Sequence, residues 1–199
     1  MTETGSLLWE LECRACCTSI DASRVASTCP TCGQALFATY DLAKLDARNW
    51  VRSLPGRPPT LWRYRELLPV RSFERVTTLG EGLTPVIPLG RVEGAEGVTV
   101  TLKDDGSMPT GSFKARGMAV ALSRAVELGV TEVFVPSAGN AGVALAAYAA
   151  RANVPARVYL PERTPTPMKE AVRLYGAEVI EVPGTIRDAG ELARKTGVI

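Results

Sequence analysis

Residues 109–117 read Pro109-Thr110-Gly111-Ser112-Phe113-Lys114-Ala115-Arg116-Gly117 and decide how this chain is interpreted. They place Lys114 at a turn of Gly and Ser residues that opens a long, alanine-rich segment favouring a helix. The positive end of that helix and the adjacent ring of Phe113 both favour the neutral amine, which is the form that a Schiff base requires. The alternative is a lysine on a solvated helix face, where most lysines lie.

The chain that follows this stretch alternates between predicted helices and strands. The helices are Ser112–Leu128 (closed by Gly129), Asn140–Ala152, Pro167–Tyr175 (closed by Gly176) and Thr185–Lys195, and the strands are Glu132–Val135, Ala156–Leu160 and Glu178–Val182. This alternation with short links predicts a parallel α/β sheet. Because Gly197-Val198-Ile199 is typical of the start of another strand, we expect an incomplete layer and an N-terminal fragment of a longer protein.

The chain before Lys114 divides into a cysteine module, residues 1–40, and a connector, residues 41–78, ahead of the α/β core in residues 79–199. The connector contains the turn signal Leu54–Pro59 and then a predicted short helix, Thr60–Leu68. Two strand-like runs follow at Thr84–Leu89 and Val98–Lys103. The sequence therefore predicts one α/β domain with a small module in front of it.

The composition excludes several classes of protein. Hydrophobic residues make up 46% and charged residues 22% of the 199 residues, and the net charge of +2 gives no basic field for nucleic acid. The chain has no run of about 18 apolar residues, which a membrane span needs, and residues 1–5 lack signal-peptide features, so we expect a cytoplasmic protein. Histidine is absent, which excludes catalytic schemes and metal sites built on it within this chain.

Four cysteines form the pairs Cys13-x-x-Cys16 and Cys29-x-x-Cys32, which twelve residues separate. This spacing predicts a tetrahedral, all-thiolate zinc site, and four protein ligands make such a zinc structural. Disulfides are an alternative, although cytosolic proteins rarely keep them. A redox pair fits less well because neither pair opens a predicted helix. A nucleic-acid-binding ribbon also fits less well, because this chain has no basic cluster. Cys17 is a fifth cysteine that could compete with Cys16 for the metal.

Two other loops combine small and polar residues. Residues 136–142, Pro-Ser-Ala-Gly-Asn-Ala-Gly, lie between a predicted strand and a helix. They either present backbone N–H groups to an anion or form only a tight turn. In residues 79–85, Leu-Gly-Glu-Gly-Leu-Thr-Pro, Thr84 is a candidate hydroxyl contact to substrate. The alternative is a plain turn with Glu81 as a solvated charge. Arg116 and Lys103 either help to bind an anionic substrate or are surface charges.

Residues 103–117 resemble the cofactor-lysine segment of the fold-type II enzymes that use pyridoxal 5'-phosphate (PLP), and the likeness extends from about Leu7 to the chain end. The resemblance implies that Lys114 forms the internal aldimine with PLP, that Phe113 packs against the cofactor and that Asn140 bonds its ring hydroxyl. It also implies a pocket for the substrate carboxylate, lined by Ser137, Gly139 and Ala141. Met108 departs from the family pattern, which usually has Asn there.

Within that family the sequence of this segment is most similar to that of threonine synthases, some of which carry an N-terminal zinc ribbon. The resemblance implies conversion of O-phospho-L-homoserine and water to L-threonine and phosphate, in a homodimer. From the net charge and the lack of a long apolar run, we expect no nucleic-acid or membrane partner. It also implies that a glycine-rich loop for the PLP phosphate lies beyond residue 199. The alternatives are a threonine or serine dehydratase, a cysteine synthase or a cysteate synthase. A protein of another class, a non-catalytic binding protein that keeps the ribbon, is a further alternative.

Overall fold

The computed structural model describes residues 5–196 of the chain. The strands are β1 (Leu8–Cys13), β2 (Ser19–Asp21), β3 (Leu36–Tyr40), β4 (Val86–Leu89), β5 (Val100–Lys103), β6 (Val133–Pro136), β7 (Ala156–Pro161) and β8 (Glu178–Val182). The α-helices are α1 (Ala47–Ser53), α2 (Lys114–Glu127), α3 (Asn140–Ala152), α4 (Thr166–Leu174) and α5 (Ile186–Thr196). Within residues 5–196, no helix has the length and apolar character that crossing a membrane requires.

The second half of the chain folds into a parallel sheet in the order β6-β7-β8, with helices on both faces. Side chains of a strand alternate between the two faces. Accordingly, Val158 and Leu160 of β7 lie in one core with residues of α2, α3 and α4, whereas Tyr159 lies in another with Ala189 and Ala193 of α5. This confirms the predicted parallel α/β fold, with each helix and strand within two residues of its expected bounds. The strand expected at residues 197–199 lies outside the described residues.

Helix α2 begins two residues later than predicted because of the turn in front of it. Thr110 and Gly111 have φ angles of 63° and 69°, and Ser112 is extended at φ −157° and ψ 159°. Thr110 thus adopts a left-handed conformation that few residues with a side chain adopt. Phe113 is the N-cap, and Lys114 becomes the first residue of the helix.

The connector is more helical than expected. Helix α1 was not predicted, although its signal is present, since the Asp46 side chain accepts a hydrogen bond from Asn49 N at 3.1 Å. The predicted helix over residues 60–68 is instead a 3-10 helix, Leu61–Leu67, with a kink at Tyr64 (φ −100°, ψ 25°). Short 3-10 turns of this kind are frequent in segments that connect other elements.

Strands β1, β2 and β3 form an antiparallel sheet that is tied to the connector around a buried carboxylate. Leu7 N donates to Glu66 O at 2.9 Å, and the Glu66 side chain accepts from both Arg57 terminal nitrogens at 2.7 Å and from Trp50 Nε1 at 2.9 Å. Burial alone would raise the pKa of Glu66, but the hydrogen bonds from Arg57 and Trp50 outweigh it and hold the pKa below its ordinary value. An ionised Glu66 therefore anchors this junction.

Candidate functional site

Lys114 lies at the N-terminus of α2 with its amine over an aromatic ring. Its Nζ is 4.6 Å from the ring centroid of Phe113, and Phe113 is 57% exposed. The first N–H groups of a helix have no partner within the helix and give its start a partial positive charge. The amine is thus flanked by an apolar face and a positive end, as the sequence predicts, and the exposed ring leaves room for a ligand to pack there.

Two hydroxyls in the turn before Lys114 are buried without a hydrogen-bond partner among the described residues. They are Thr110 Oγ1 and Ser112 Oγ, and Ser112 is only 6% exposed. An unsatisfied buried hydroxyl costs about 1–3 kcal/mol. A polar ligand that reaches this turn would remove that cost. With the amine of Lys114 beside them, these groups fit PLP, which carries a carbonyl carbon for the amine and several polar oxygens.

The loop over residues 136–142 places Asn140 at the start of α3, where it is exposed. Ser137 Oγ closes the loop by accepting from Gly142 N at 3.1 Å and Gly139 N at 3.3 Å. A Cβ at Gly142 would lie 2.8 Å from Val158 Cγ1, so only glycine allows this close packing on β7. Helices α2 and α3 share one buried core, so Lys114 and Asn140 each begin one of two packed helices.

Thr84, the predicted substrate contact, is buried and already engaged. Its hydroxyl donates to Asp105 Oδ1 at 2.8 Å and accepts from Lys103 Nζ at 2.6 Å. Arg116 contacts both oxygens of Asp105, at 2.6 and 2.8 Å. This pairing keeps the pKa of Asp105 well below its ordinary value and raises the pKa of Arg116. Arg116 and Lys103 are therefore members of a polar cluster rather than isolated surface charges.

Glu81 is fully buried, so its interpretation as a solvated charge is wrong. Its carboxylate accepts four hydrogen bonds: from Trp62 Nε1 at 2.8 Å, Thr78 Oγ1 at 3.0 Å, Leu79 N at 3.0 Å and Tyr148 Oη at 2.5 Å. Burial, together with this carboxylate, raises the pKa of Tyr148 far above its ordinary value. Because Tyr148 stands 67 positions away in the sequence, no local pattern indicates this network.

The four paired cysteines converge in space. Their Sγ atoms, on Cys13, Cys16, Cys29 and Cys32, all lie within 4.8 Å of one another. The Cys13–Cys32 and Cys16–Cys29 sulfur distances are 3.4 and 3.6 Å, far longer than a disulfide of about 2.05 Å. Zn–S bonds of about 2.3 Å in a tetrahedron place sulfurs roughly 3.8 Å apart, so the residues fit a four-thiolate zinc site.

The two cysteine pairs form the same kind of backbone turn. The residue after each pair has a left-handed conformation, with φ of 58° at Cys17 and 72° at Gly33. Cys17 N donates to Cys13 O at 2.8 Å, and Gly33 N donates to Cys29 O at 2.9 Å. Cys17 therefore occupies a position that suits glycine, and its thiol lies outside the group of four. The structure does not bring Cys17 into the metal-binding group.

Two thiols of this group, those of Cys29 and Cys32, have pKa values that are shifted in opposite directions. Burial alone would raise the pKa of Cys29, but the backbone N–H groups of Cys32 and Thr31 outweigh it and lower this pKa to about 6. The N–H of Gln34 favours the thiolate of Cys32, yet hydrogen bonds with neighbouring thiols, Cys16 first, raise its pKa to about 12. Four close sulfurs cannot all be charged without a cation, and a divalent metal supplies one.

Comparisons with known proteins bear on the family of this chain. Residues 77–197 match the family described as pyridoxal-phosphate dependent enzyme. The threonine synthase of Methanocaldococcus jannaschii is 37% identical over 185 residues, which cover 92% of this chain and 45% of that relative. The threonine synthase of Synechocystis is 46% identical over 129 residues, 63% of this chain and 34% of that relative.

A solved structure of a pyridoxal 5'-phosphate-dependent aspartate racemase resembles this chain with a TM-score of 0.51 and 32% identity. The match covers 58% of this chain and 38% of the racemase. The chain thus spans less than half the length of these similar proteins. Because a racemase and threonine synthases share this architecture, the fold alone does not decide the reaction.

Proposed function

This chain belongs to the family of pyridoxal-phosphate-dependent enzymes, and we propose that it carries the lysine-bearing part of a threonine synthase. The reaction is the conversion of O-phospho-L-homoserine and water to L-threonine and phosphate. The observation that carries the proposal is the extent of the similarity to threonine synthases. A match over 185 residues must extend well before residue 77, so it includes part of the connector and cysteine module as well as the catalytic core.

In this proposal Lys114 would hold the cofactor and then move protons among Cα, Cβ and Cγ of the substrate. The γ-phosphate then leaves, water adds at Cβ, and Cγ gains the proton that makes it the methyl group of threonine. When bound, PLP supplies the electron sink for the negative charge. Phe113 would pack against the cofactor ring, and Asn140 would bond the hydroxyl of that ring. The start of α3, with Ser137, Gly139 and Ala141, receives the substrate carboxylate, because a helix N-terminus favours an anion.

The sequence also suggests Thr84 as a substrate contact. To serve in that way its hydroxyl would have to exchange its bond to Asp105 for one to substrate. We further propose that the complete protein is a cytoplasmic homodimer, in keeping with the sequence expectations.

The proposal is tested on the complete protein that contains these residues. Phosphate and threonine are measured after addition of O-phospho-L-homoserine, and lysine-bound PLP is mapped by borohydride reduction and peptide mass spectrometry. We expect turnover, with PLP on Lys114, and loss of both in Lys114→Ala but not in the exposed control Lys195→Ala. Turnover of serine or threonine to a keto acid, with none of phosphohomoserine, would instead identify a dehydratase. Absence of bound PLP at saturation would indicate a non-catalytic binding protein.

We propose a structural zinc at Cys13, Cys16, Cys29 and Cys32, in a module formed by residues 1–40, followed by the connector 41–78 and the catalytic core 79–199. The sulfur distances and the two left-handed turns support this assignment. Metal analysis of the complete protein should find about one zinc per chain. If denatured, unreduced protein instead shows two disulfides by thiol titration, the zinc assignment is wrong.

A further inference from the structure

Four side chains at or near the start of α2 form a polar cluster, and only Thr84 among them has a role in the proposed reaction. The Asp105 cluster consists of Thr84, Lys103, Asp105 and Arg116. Asp105 lies at its centre, because it accepts from Thr84 and forms a two-pronged ion pair with Arg116 at 2.6 and 2.8 Å. Lys103 Nζ completes it through the Thr84 hydroxyl at 2.6 Å. A guanidinium held through two parallel bonds is fixed in direction as well as in distance.

The cluster joins three segments of the chain at the start of α2. Thr84 stands just before β4, Lys103 is the last residue of β5, and Arg116 is the third residue of α2, two positions after Lys114. Strands β4 and β5 pair with each other, Val86 opposite Lys103. The hairpin is therefore bound to the helix turn that carries the reactive amine.

The first turn of α2 is held on its inner side by Ala115, which is fully buried in the core shared with α3, and by a backbone hydrogen bond from Ala115 N to Ser112 O at 3.2 Å. It has no side-chain cap on its outer side. Its N-cap is Phe113, which provides no side-chain hydrogen bond to the helix, and the preceding turn contains the left-handed pair Thr110 and Gly111. Missing caps let a helix end fray. The ion pair from Arg116 to Asp105 substitutes for a cap by anchoring the turn from its side.

Asp105 also balances the charge at the start of α2, where Arg116 lies. Asp105 offsets the cations of Lys103 and Arg116, which would otherwise add to the positive end of the helix. The neighbouring Asp104 does not share this task, since its carboxylate accepts from Gly106 N in its own turn at 2.9 Å. Removal of the Asp105 charge therefore both loosens the outer side of the turn and leaves two cations of the cluster without their anion.

We propose that Asp105 is a positioning residue for the reaction, which fixes the amine of Lys114 by holding Arg116 and the first turn of α2. This inference rests on the proposed function, because it concerns the same lysine. In this proposal Arg116 stays paired with Asp105 and does not bind the phosphate of the substrate. A misplacement of a reacting group by about 1 Å costs roughly a hundredfold in rate, which is the scale of effect expected here.

The test compares Asp105→Asn with the matched control Asp104→Asn in the complete, PLP-saturated protein. We expect Asp105→Asn to lower kcat by about a hundredfold with KM within about threefold, and to shift the pH at which the absorption of lysine-bound PLP changes. Asp104→Asn should change neither. Arg116→Gln should match Asp105→Asn, and the double variant should be no worse than either, because the two residues act as one unit.

Three results would overturn the inference. A lower melting temperature with unchanged kcat and absorption would make the cluster merely structural. A raised KM in Arg116→Gln with unchanged kcat would assign Arg116 to substrate binding. Unchanged kcat and absorption in Asp105→Asn would show that Asp105 has no positioning role.

Failure of the proposed reaction can be told apart from failure of this inference. If the wild-type protein binds PLP but makes no threonine, the proposed reaction fails while the absorption comparison still decides the role of Asp105. If it binds no PLP, both fail.

Discussion

The cysteine group and the lysine site are assembled in different ways. The four thiols come from a stretch of twenty residues, and two similar turns bring them within 4.8 Å of one another. The groups near the start of α2 come from segments between residues 79 and 142. They meet only because α2 packs on α3 and because Asp105 joins Thr84 to Arg116. A site of the first kind depends on local geometry, whereas one of the second kind depends on distant contacts.

The largest effect is expected from removal of one thiolate of the cysteine group. Cys29→Ser should reduce bound zinc from about one atom per chain to near zero after dialysis, because a structural site needs all four ligands. Metal analysis measures this, and Cys17→Ser is the control that should keep its zinc. Since the lysine site lies in other segments, PLP on Lys114 should survive in the same variant. Equal zinc in Cys29→Ser and wild type would contradict the assignment.

The converse experiment removes the carboxylate of Glu81. Glu81→Ala leaves the hydroxyl of Tyr148 and the indole N–H of Trp62 buried without an acceptor, so we expect a loss of about 3 kcal/mol in the free energy of unfolding. Urea denaturation measures the loss, and the exposed Glu93→Ala is the control. Zinc content should not change. A loss below about 0.5 kcal/mol would show that the network contributes little.

A smaller effect is expected where the loop before α3 packs on β7. Gly142→Ala inserts a Cβ 2.8 Å from Val158 Cγ1, which should lower the free energy of unfolding by about 1–3 kcal/mol. In Gly117→Ala, by contrast, the new Cβ meets nothing within 4 Å, and alanine in a helix should stabilise by about 0.5–1 kcal/mol. Melting curves of the two variants should therefore move in opposite directions, and movement in the same direction would refute the packing argument.

The smallest effect concerns pH at the junction of the cysteine module and the connector. The pKa of Glu66 is lowered on folding from 4.5, so its contribution to stability is complete above about pH 5 and is lost as the pH falls through the folded-state value. Between about pH 5 and 3, wild type should therefore lose stability faster than Glu66→Gln. Urea midpoints across this range measure the difference. Parallel curves for the two proteins would count against an ionised Glu66 in the folded state.

Much of the fold could be predicted because its signals are local. The spacing of apolar residues and the glycines after helix ends indicated the helices and strands of residues 112–196 to within two residues. The start of α2 shifted because Thr110 takes a left-handed conformation, which its sequence does not favour. The cysteine spacing indicated the group of four thiols, since two Cys-x-x-Cys turns need only a short chain to bring them together.

By itself, the sequence determined the alternation of strands and helices, the four paired thiols and the placement of Lys114 and Asn140 at helix starts. Only the tertiary structure decided which polar side chains bond to one another in the segments before and after the lysine. Glu81 is a buried acceptor rather than a solvated charge because Tyr148 and Trp62 reach it from distant segments. Asp105 joins Thr84 to Arg116 for the same reason. Hydrogen bonds between segments far apart in the chain follow from packing, and no local pattern records them.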